Sequence, residues 1–198
     1  MVAGLTASSG GGGSTAVHEA VRPILREGSF GDCKMGSGKI IENEGLLALL
    51  PHREGMLLLS RIVDYDLDRH TIRAEYDITR DCLFYDPALD GIPAWISFEC
   101  MAQSAAAITG LENRRPGLGL ILSVSCMEIQ QPVLRAGSTV SIAVAEDVRM
   151  ESVYTYIAEV LLGVSPAAKV VARSRLTVYA AKDESAFEKE NYYGAGNG

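Results

Sequence analysis

The sequence predicts an α+β domain in which an antiparallel sheet wraps around one central helix. Three observations lead to this fold class. Apolar residues recur with a helical period from residue 93 to about residue 109. Runs of alternating apolar and polar residues, typical of half-buried strands, lie on both sides of that segment. The helical segment is apolar or small nearly all round, so we expect it to be enclosed rather than to lie on a surface.

Two strands are expected ahead of the central helix. A short helix is predicted over NEGLLALLPH and should end at Pro51. The run MLLLSRIVDYD at residues 56–66 then predicts a buried strand. Residues 70–79 alternate strictly, and the DLDR between the two runs supplies a hairpin turn. One face of this second strand carries His70, Ile72, Ala74, Tyr76 and Ile78.

The central helix is predicted to begin at Pro93 and to end at Gly110. Proline suits a first helical position because its missing N–H would have no partner there. Glycine is common just after the last helical turn. The apolar stripe at three- and four-residue spacing consists of Phe98, Met101, Ala105 and Ile108, and further small residues are Ala102, Ala106 and Ala107.

Four strands are expected after the helix, at about residues 120–130, 139–144, 152–163 and 170–178. The order is therefore two strands, one buried helix and four strands, which is an α+β layout. A sheet that curls around one helix leaves open edges, and pairing those edges between two copies removes them. We therefore expect a dimer.

Composition limits the classes of function. The chain has 198 residues, a net charge of −7 and a pI near 5.0. Nucleic-acid binding needs clustered Lys and Arg, so a general nucleic-acid binder is not expected. The longest apolar runs are too short to span a membrane, and we expect a cytoplasmic protein with free thiols. We divide the chain into a flexible Gly/Ser-rich arm (1–40), the domain (41–182) and a polar tail (183–198).

Glu99 is the residue that most needs an explanation. It is a carboxylate in the middle of the most enclosed helix. Burial raises the pKa of a carboxyl group, which makes it a plausible proton donor or acceptor. Gln103 lies four residues further on, on the same helix face. A purely structural interpretation, in which Glu99 pairs with an arginine or caps a strand edge inside the core, explains the spacing equally well.

Two motifs add a resemblance to a known family. LLPHREGMLLLSRIV followed by FECMAQSAA resembles the 3-hydroxyacyl-acyl-carrier-protein dehydratases of fatty-acid synthesis, over roughly residues 46–180. Within that family the sequence is most similar to the branch of aryl-polyene-type polyketide pathways, through the loop FYDPALDGIPAW. The resemblance implies a hot-dog fold, a dimer and dehydration of 3-hydroxyacyl chains. It also implies that Glu99 is the catalytic acid.

The resemblance leaves the second catalytic group open. Standard members carry a Gly-His-Phe segment before the helix, whereas this chain has Leu83-Phe84-Tyr85-Asp86 there. Counting back from Glu99 places Tyr85 at the missing histidine, and a shift of one residue places Asp86 there. A tyrosine with a pKa near ~10 is a poor base, so Asp86 is the leading candidate, with His52 as its substitute. The residues expected at the substrate are Ala94 and Trp95, whose N–H groups would polarise the thioester, together with Gln103 and Tyr85.

The predicted reaction converts 3-hydroxyacyl-acyl-carrier protein to the trans-2-enoyl product. Two alternatives remain: a non-catalytic hot-dog subunit that pairs with an active dehydratase, and an acyl thioesterase. The expected partners are an acyl-carrier protein and a second hot-dog chain, identical or related, and no cofactor or metal is expected. Arg114 and Arg115 follow the helix and are candidates for contact with an acidic carrier protein. The alanine face of the helix fits either an acyl tunnel or close helix–sheet packing.

Overall fold

The computed structural model describes residues 40–163 and 168–180. The predicted tail and nearly all of the predicted arm lie outside these residues. The described strands are β1 (Ile41–Glu42), β2 (Arg61–Asp66), β3 (Thr71–Asp77), β4 (Gly91–Pro93), β5 (Gly119–Ile129), β6 (Val133–Arg135), β7 (Thr139–Met150), β8 (Val153–Leu162) and β9 (Lys169–Ala180). The described α-helices are α1 (Glu44–Leu47) and α2 (Ser97–Asn113). Neither is long and apolar enough to cross a membrane.

Seven strands form one antiparallel sheet in the order β1-β2-β3-β7-β8-β9-β5. The short strands β4 and β6 form a separate antiparallel pair. Helix α2 contacts β3, β7, β8 and β9, so the large sheet covers it along much of its length. The predicted antiparallel sheet around one central helix is confirmed.

The core lies between α2 and the inner face of the sheet. Met101, Ala105 and Ile108 of the predicted stripe are fully buried. Opposite them, the alternation of β3 places Ile72, Ala74 and Tyr76 inward, as predicted, and the same face of β7 and β9 contributes Ile142, Val144 and Leu176. His70 departs from this pattern because it lies in the turn before β3 with a positive φ of 50°.

The ends of α2 differ from the prediction. Pro93 is the last residue of β4 rather than the first of the helix, and a single 3₁₀ turn (Ala94–Ile96) separates it from Ser97. Gly110 does not end the helix, which continues to Asn113 and stops where Arg114 adopts a left-handed conformation. Similarly, β2 begins only at Arg61, because residues 54–56 form a 3₁₀ turn.

Gly110 has a packing role inside α2. A Cβ atom at this position would collide with the backbone carbonyl oxygen of Leu49. Leu49 follows α1 and immediately precedes Leu50 and Pro51, so this contact brings the segment before β2 against the helix. The glycine therefore permits a close approach of two backbones, and that approach is a property of the tertiary structure.

Gly110→Ala is expected to lower the free energy of unfolding by about 1–3 kcal/mol, since overpacking against a backbone atom forces a shift. Alanine's better helix propensity, worth about 1 kcal/mol, offsets only part of that cost. Urea unfolding measures the change. Gly117→Ala is the matched control, because the nearest atom to its new Cβ would be 3.9 Å away. Equal stability of the two variants would contradict the packing role.

Candidate active site

Gln103 joins the central helix to the segment that precedes β2. Its side chain is completely buried, with 0% exposure. The amide oxygen accepts the backbone N–H of Leu58 at 3.0 Å, and the amide nitrogen donates to the carbonyl oxygen of Met56 at 2.7 Å. The same nitrogen donates to Glu99 Oε1 at 2.9 Å. One side chain therefore positions both the Glu99 carboxylate and the chain that carries His52.

His52 lies in the bend between α1 and the 3₁₀ turn at Glu54–Met56. The guanidinium of Arg53 closes this bend by donating to the carbonyl oxygens of Leu50 at 2.6 Å and His52 at 2.8 Å. His52 Nε2 comes to 3.3 Å from Glu99 Oε1. The two side chains are 27% and 30% exposed, so both remain within reach of a small molecule.

The environment of Glu99 favours its ionised form. The hydrogen bond with His52 lowers the pKa of Glu99 most strongly; burial raises it, and the bond from Gln103 lowers it again. The hydrogen bonds have the larger effect, so the pKa of Glu99 lies below its ordinary value and its side chain is a carboxylate at neutral pH. His52 Nδ1 is buried, and no hydrogen-bond partner for it is found among the described residues.

A cavity of about 260 Å³ opens beside this pair. Its walls include His52 and Glu99 and, along α2, the small side chains of Ala102, Ala105 and Ala106. Of the three alanines predicted for a tunnel or for packing, Ala102 and Ala106 line the cavity. Ala107 is fully buried and is absent from the cavity wall.

Asp86 and Tyr85, predicted near the missing histidine, lie in another part of the structure. Asp86 Oδ1 accepts the N–H of Ala88 at 2.8 Å, and its backbone pairs with that of Gly91. The Tyr85 hydroxyl donates to Asp90 Oδ1 at 3.0 Å; desolvation and this bond raise the pKa of Tyr85. Neither residue lines the cavity that contains Glu99. Within the described residues, the structure brings His52 to Glu99 and does not bring Asp86 there.

The expected thioester donors are also placed differently. The N–H of Ala94 donates to the carbonyl oxygen of Pro132 at 2.9 Å, which joins the start of the helix to the chain before β6. It is therefore engaged in the fold and is not free for a thioester. Trp95 is 59% exposed and meets Phe84 edge to face, with 6.2 Å between ring centroids. Trp95 does not line the cavity either.

Two further expectations concern groups away from the pair. Arg114 and Arg115 are exposed at the C-terminal end of α2. Fifteen helical residues separate Arg114 from Glu99, a distance of about 22 Å along the axis. The arginines are therefore not beside His52 and Glu99. Among the described residues, no group of three His, Cys, Asp or Glu side chains is arranged to hold a metal ion.

Comparison with known proteins identifies the family. The family model described as ApeP-like, ApeP dehydratase, matches residues 45–189. The chain belongs to the ApeP-like dehydratase family. It is also 31% identical over 105 residues to the 3-hydroxyacyl-[acyl-carrier-protein] dehydratase FabZ of Chlamydia abortus, which covers 50% of this chain and 68% of that protein. FabZ of Bartonella quintana is 32% identical over 98 residues, or 48% of this chain and 63% of that protein.

A solved structure supports the fold. The dehydratase heterocomplex ApeI:P from Xenorhabdus doucetiae superimposes with a TM-score of 0.64 at 21% sequence identity, covering 74% of this chain and 97% of that chain. The predicted hot-dog fold is thus confirmed. The sequence favours Asp86 over His52, whereas the structure places His52 beside Glu99. Pro51 and Arg53 flank His52 in the Leu-Pro-His-Arg motif, and Arg53 makes the bend that turns His52 toward α2.

His52→Ala is expected to raise the pKa of Glu99, because His52 is the strongest of the influences that lower it and burial acts in the opposite direction. Carbon-detected NMR titration of the Glu99 carboxyl group measures the change. In the intact protein the carboxylate should persist below the usual value of about 4.3. His70→Ala is the control, because His70 pairs with Glu112 at 2.7 Å instead. An unchanged Glu99 titration in His52→Ala would contradict the electrostatic account.

Proposed function

We propose that this protein dehydrates 3-hydroxyacyl chains carried on an acyl-carrier protein to trans-2-enoyl chains, and that Glu99 is the reacting group, positioned by its hydrogen bond with His52. Family membership and the FabZ relatives support the reaction class. The observation that carries the assignment is the 3.3 Å contact between His52 Nε2 and Glu99 Oε1 in the wall of a cavity. This site is atypical, since its histidine comes from the bend before β2 and not from the segment before α2.

Glu99 is well placed to act first as base and then as acid. Its ionised carboxylate takes a proton from C2 of the substrate, and the C2–H electron pair forms the C2–C3 double bond. The C3–O bond breaks, and the departing oxygen receives that same proton from the Glu99 carboxylic acid and leaves as water. Protons balance, and the carboxylate is regenerated. The acid role that the resemblance implies for Glu99 is thus the second half of its cycle.

His52 acts on this cycle through its hydrogen bond. His52 Nε2 donates a hydrogen bond to Glu99 Oε1, which holds the carboxylate ionised for the first step. Gln103 donates to the same oxygen, so both contacts orient the group from one side. The second oxygen, Oε2, is then the one presented to the substrate.

Dehydration is tested with purified protein and a 3-hydroxyacyl-acyl-carrier protein, followed by mass spectrometry for loss of water. Glu99→Gln is expected to abolish the activity, by at least the factor of about 10²–10⁴ attributed to a general acid–base group. Asp86→Asn is the matched carboxylate control and should retain activity. Release of free acid would instead indicate a thioesterase, and full activity of Glu99→Gln would refute the site.

His52 has a separate test. His52→Ala removes one hydrogen bond to a charged group, worth about 1.5–3 kcal/mol, and should lower kcat/KM about 10- to 100-fold. His52→Gln retains a side-chain N–H donor and should recover part of that loss. The acidic limb of the pH profile should also move to higher pH in His52→Ala, as the pKa of Glu99 rises. Equal activity of the Ala and Gln variants, with an unmoved limb, would exclude this role.

A second hot-dog chain is proposed to cover strand β5. This strand is eleven residues long, lies at the end of the sheet order and pairs only with β9 among the described strands. Its exposed apolar side chains are Ile121, Leu122, Val124 and Ile129, with Leu122 at 57%. A long apolar edge of this kind invites pairing with another strand. The ApeI:P structure is a heterocomplex, which supports an identical or related hot-dog chain as the occupant.

Leu122→Lys is expected to weaken this association, because it places a charge on the edge. Sedimentation velocity should show a shift from twice the chain mass toward a single chain. If the partner is a related chain, co-purification of that chain should fall instead. Val148→Lys on β7, another exposed apolar strand residue, is the control. Loss of association in both variants alike would argue against β5 as the interface.

A further inference from the structure

The cavity beside Glu99 has a second end that the reaction itself does not use. The wall continues along α2 through Ala102 and Ala106 to Thr109, ten residues beyond Glu99. Tyr154 and Tyr156, both from β8, line the cavity with Thr109. Along α2 the wall therefore passes from Glu99, through small apolar side chains, to a group that we call the aromatic end (Thr109, Tyr154 and Tyr156).

The aromatic end is held in place by several contacts. Tyr156 is only 2% exposed, and its hydroxyl is hydrogen-bonded to the side chain of Thr109. The ring of Tyr154 stacks on that of Tyr156, with centroids 6.3 Å apart and planes at 16°. Arg149 lies 4.8 Å from the centroid of Tyr154. These contacts leave the two rings little freedom to move aside.

Arg149 is itself fixed by charged neighbours. Its guanidinium pairs with Glu112 at 2.7 Å and with Glu146 at 2.7 Å. Glu112 is in the last turn of α2, and Glu146 is in β7, so the cation bridges the helix to the sheet just beyond the tyrosines. The aromatic end is thus supported from behind by an ion-pair network, as expected of a wall rather than of an open channel.

Helix geometry converts this arrangement into a length. Ten residues of α-helix advance about 15 Å from Glu99 to Thr109, and the seven residues to Ala106 advance about 10 Å. A fully extended chain covers about 1.2 Å per bond, by the dimensions of the polypeptide backbone. The distance from the reacting carbons to the aromatic end is therefore about twelve bonds, and to Ala106 about nine.

We propose that Thr109, Tyr154 and Tyr156 form the end wall of an acyl-binding cavity and limit the chain length of the substrate to about twelve bonds beyond the carbons held at Glu99. The inference rests on the proposed dehydration and deepens it by naming the part of the protein that selects the acyl group. The small side chains of Ala102 and Ala106 keep the cavity open, because a larger side chain at either position would obstruct it before the end wall.

Two variants test the wall in opposite directions. Ala106→Leu should obstruct the cavity at about nine bonds. We compare kcat/KM for acyl chains of about fourteen carbons with kcat/KM for acyl chains of about eight carbons. This ratio should be at least about tenfold lower in Ala106→Leu than in the unmodified protein. Tyr154→Ala should open the aromatic end. The kcat/KM for acyl chains of about eighteen carbons, relative to that for about eight carbons, should therefore rise at least about threefold over the unmodified protein. Tyr154 is only half-buried, so this variant keeps the test valid if Ala106→Leu does not fold.

Leu111→Met is the control on the same helix. Leu111 does not line the cavity, and the substitution conserves volume, so neither ratio should change. Chain-length ratios that are the same in Ala106→Leu, Tyr154→Ala and the unmodified protein would overturn the end wall while leaving dehydration intact. Absence of dehydration at every chain length in the unmodified protein would instead overturn the proposed function. The two failures are therefore distinguishable in one set of assays.

Discussion

The side-chain amide of Gln103 is the interaction on which the arrangement of the site depends. It is fully buried, and the three hydrogen bonds from its two polar atoms tie helix α2 to residues 56 and 58 and to Glu99. An unsatisfied buried amide costs about 1–3 kcal/mol, so only the arrangement that satisfies all its partners is stable. The same bonds that hold the segment before β2 against the helix also set the orientation of the carboxylate, which couples fold and chemistry through one residue.

The charge state of Glu99 is decided by a competition of local effects. Burial alone would raise the pKa of the carboxyl group and leave it protonated over a wider pH range. Hydrogen bonds from His52 and Gln103 oppose burial, and their combined effect is larger. Helix α2 places the Glu99 carboxylate in an enclosed position. The bend at Arg53 brings the His52 imidazole, whose hydrogen bond stabilises the ionised carboxylate there. A carboxylate that stays ionised in a semi-enclosed cavity requires both conditions together.

Local patterns were sufficient for most of the fold. The strict alternation of residues 72–78 needs only the two-residue period of a strand and one buried face, and the structure has it. The apolar helix around Glu99 was identified from its period and from the absence of a polar face. The sequence does not identify the ends of this helix correctly. Gly110 makes a close contact with Leu49 inside the helix, and the residue with the left-handed conformation at its end is Arg114. Glycine has several uses, and sequence alone does not distinguish a cap from a close approach.

The amino-acid sequence alone predicts the central helix, the six longer strands β2, β3, β5, β7, β8 and β9, the carboxylate at position 99 and the resemblance to dehydratases. These follow from periodicity and short motifs, which depend on neighbours a few residues apart. Which group meets Glu99 depends on long-range packing, since His52 is 47 positions away in the chain and Asp86 only 13. Asp86 accepts a hydrogen bond within its own turn, at Ala88. The bend at Arg53 and the amide of Gln103, in contrast, hold the segment that carries His52 against α2. Separation along the chain therefore does not predict proximity in space, and the position of Tyr154 and Tyr156 in the cavity wall likewise depends on the packing of β8 against α2.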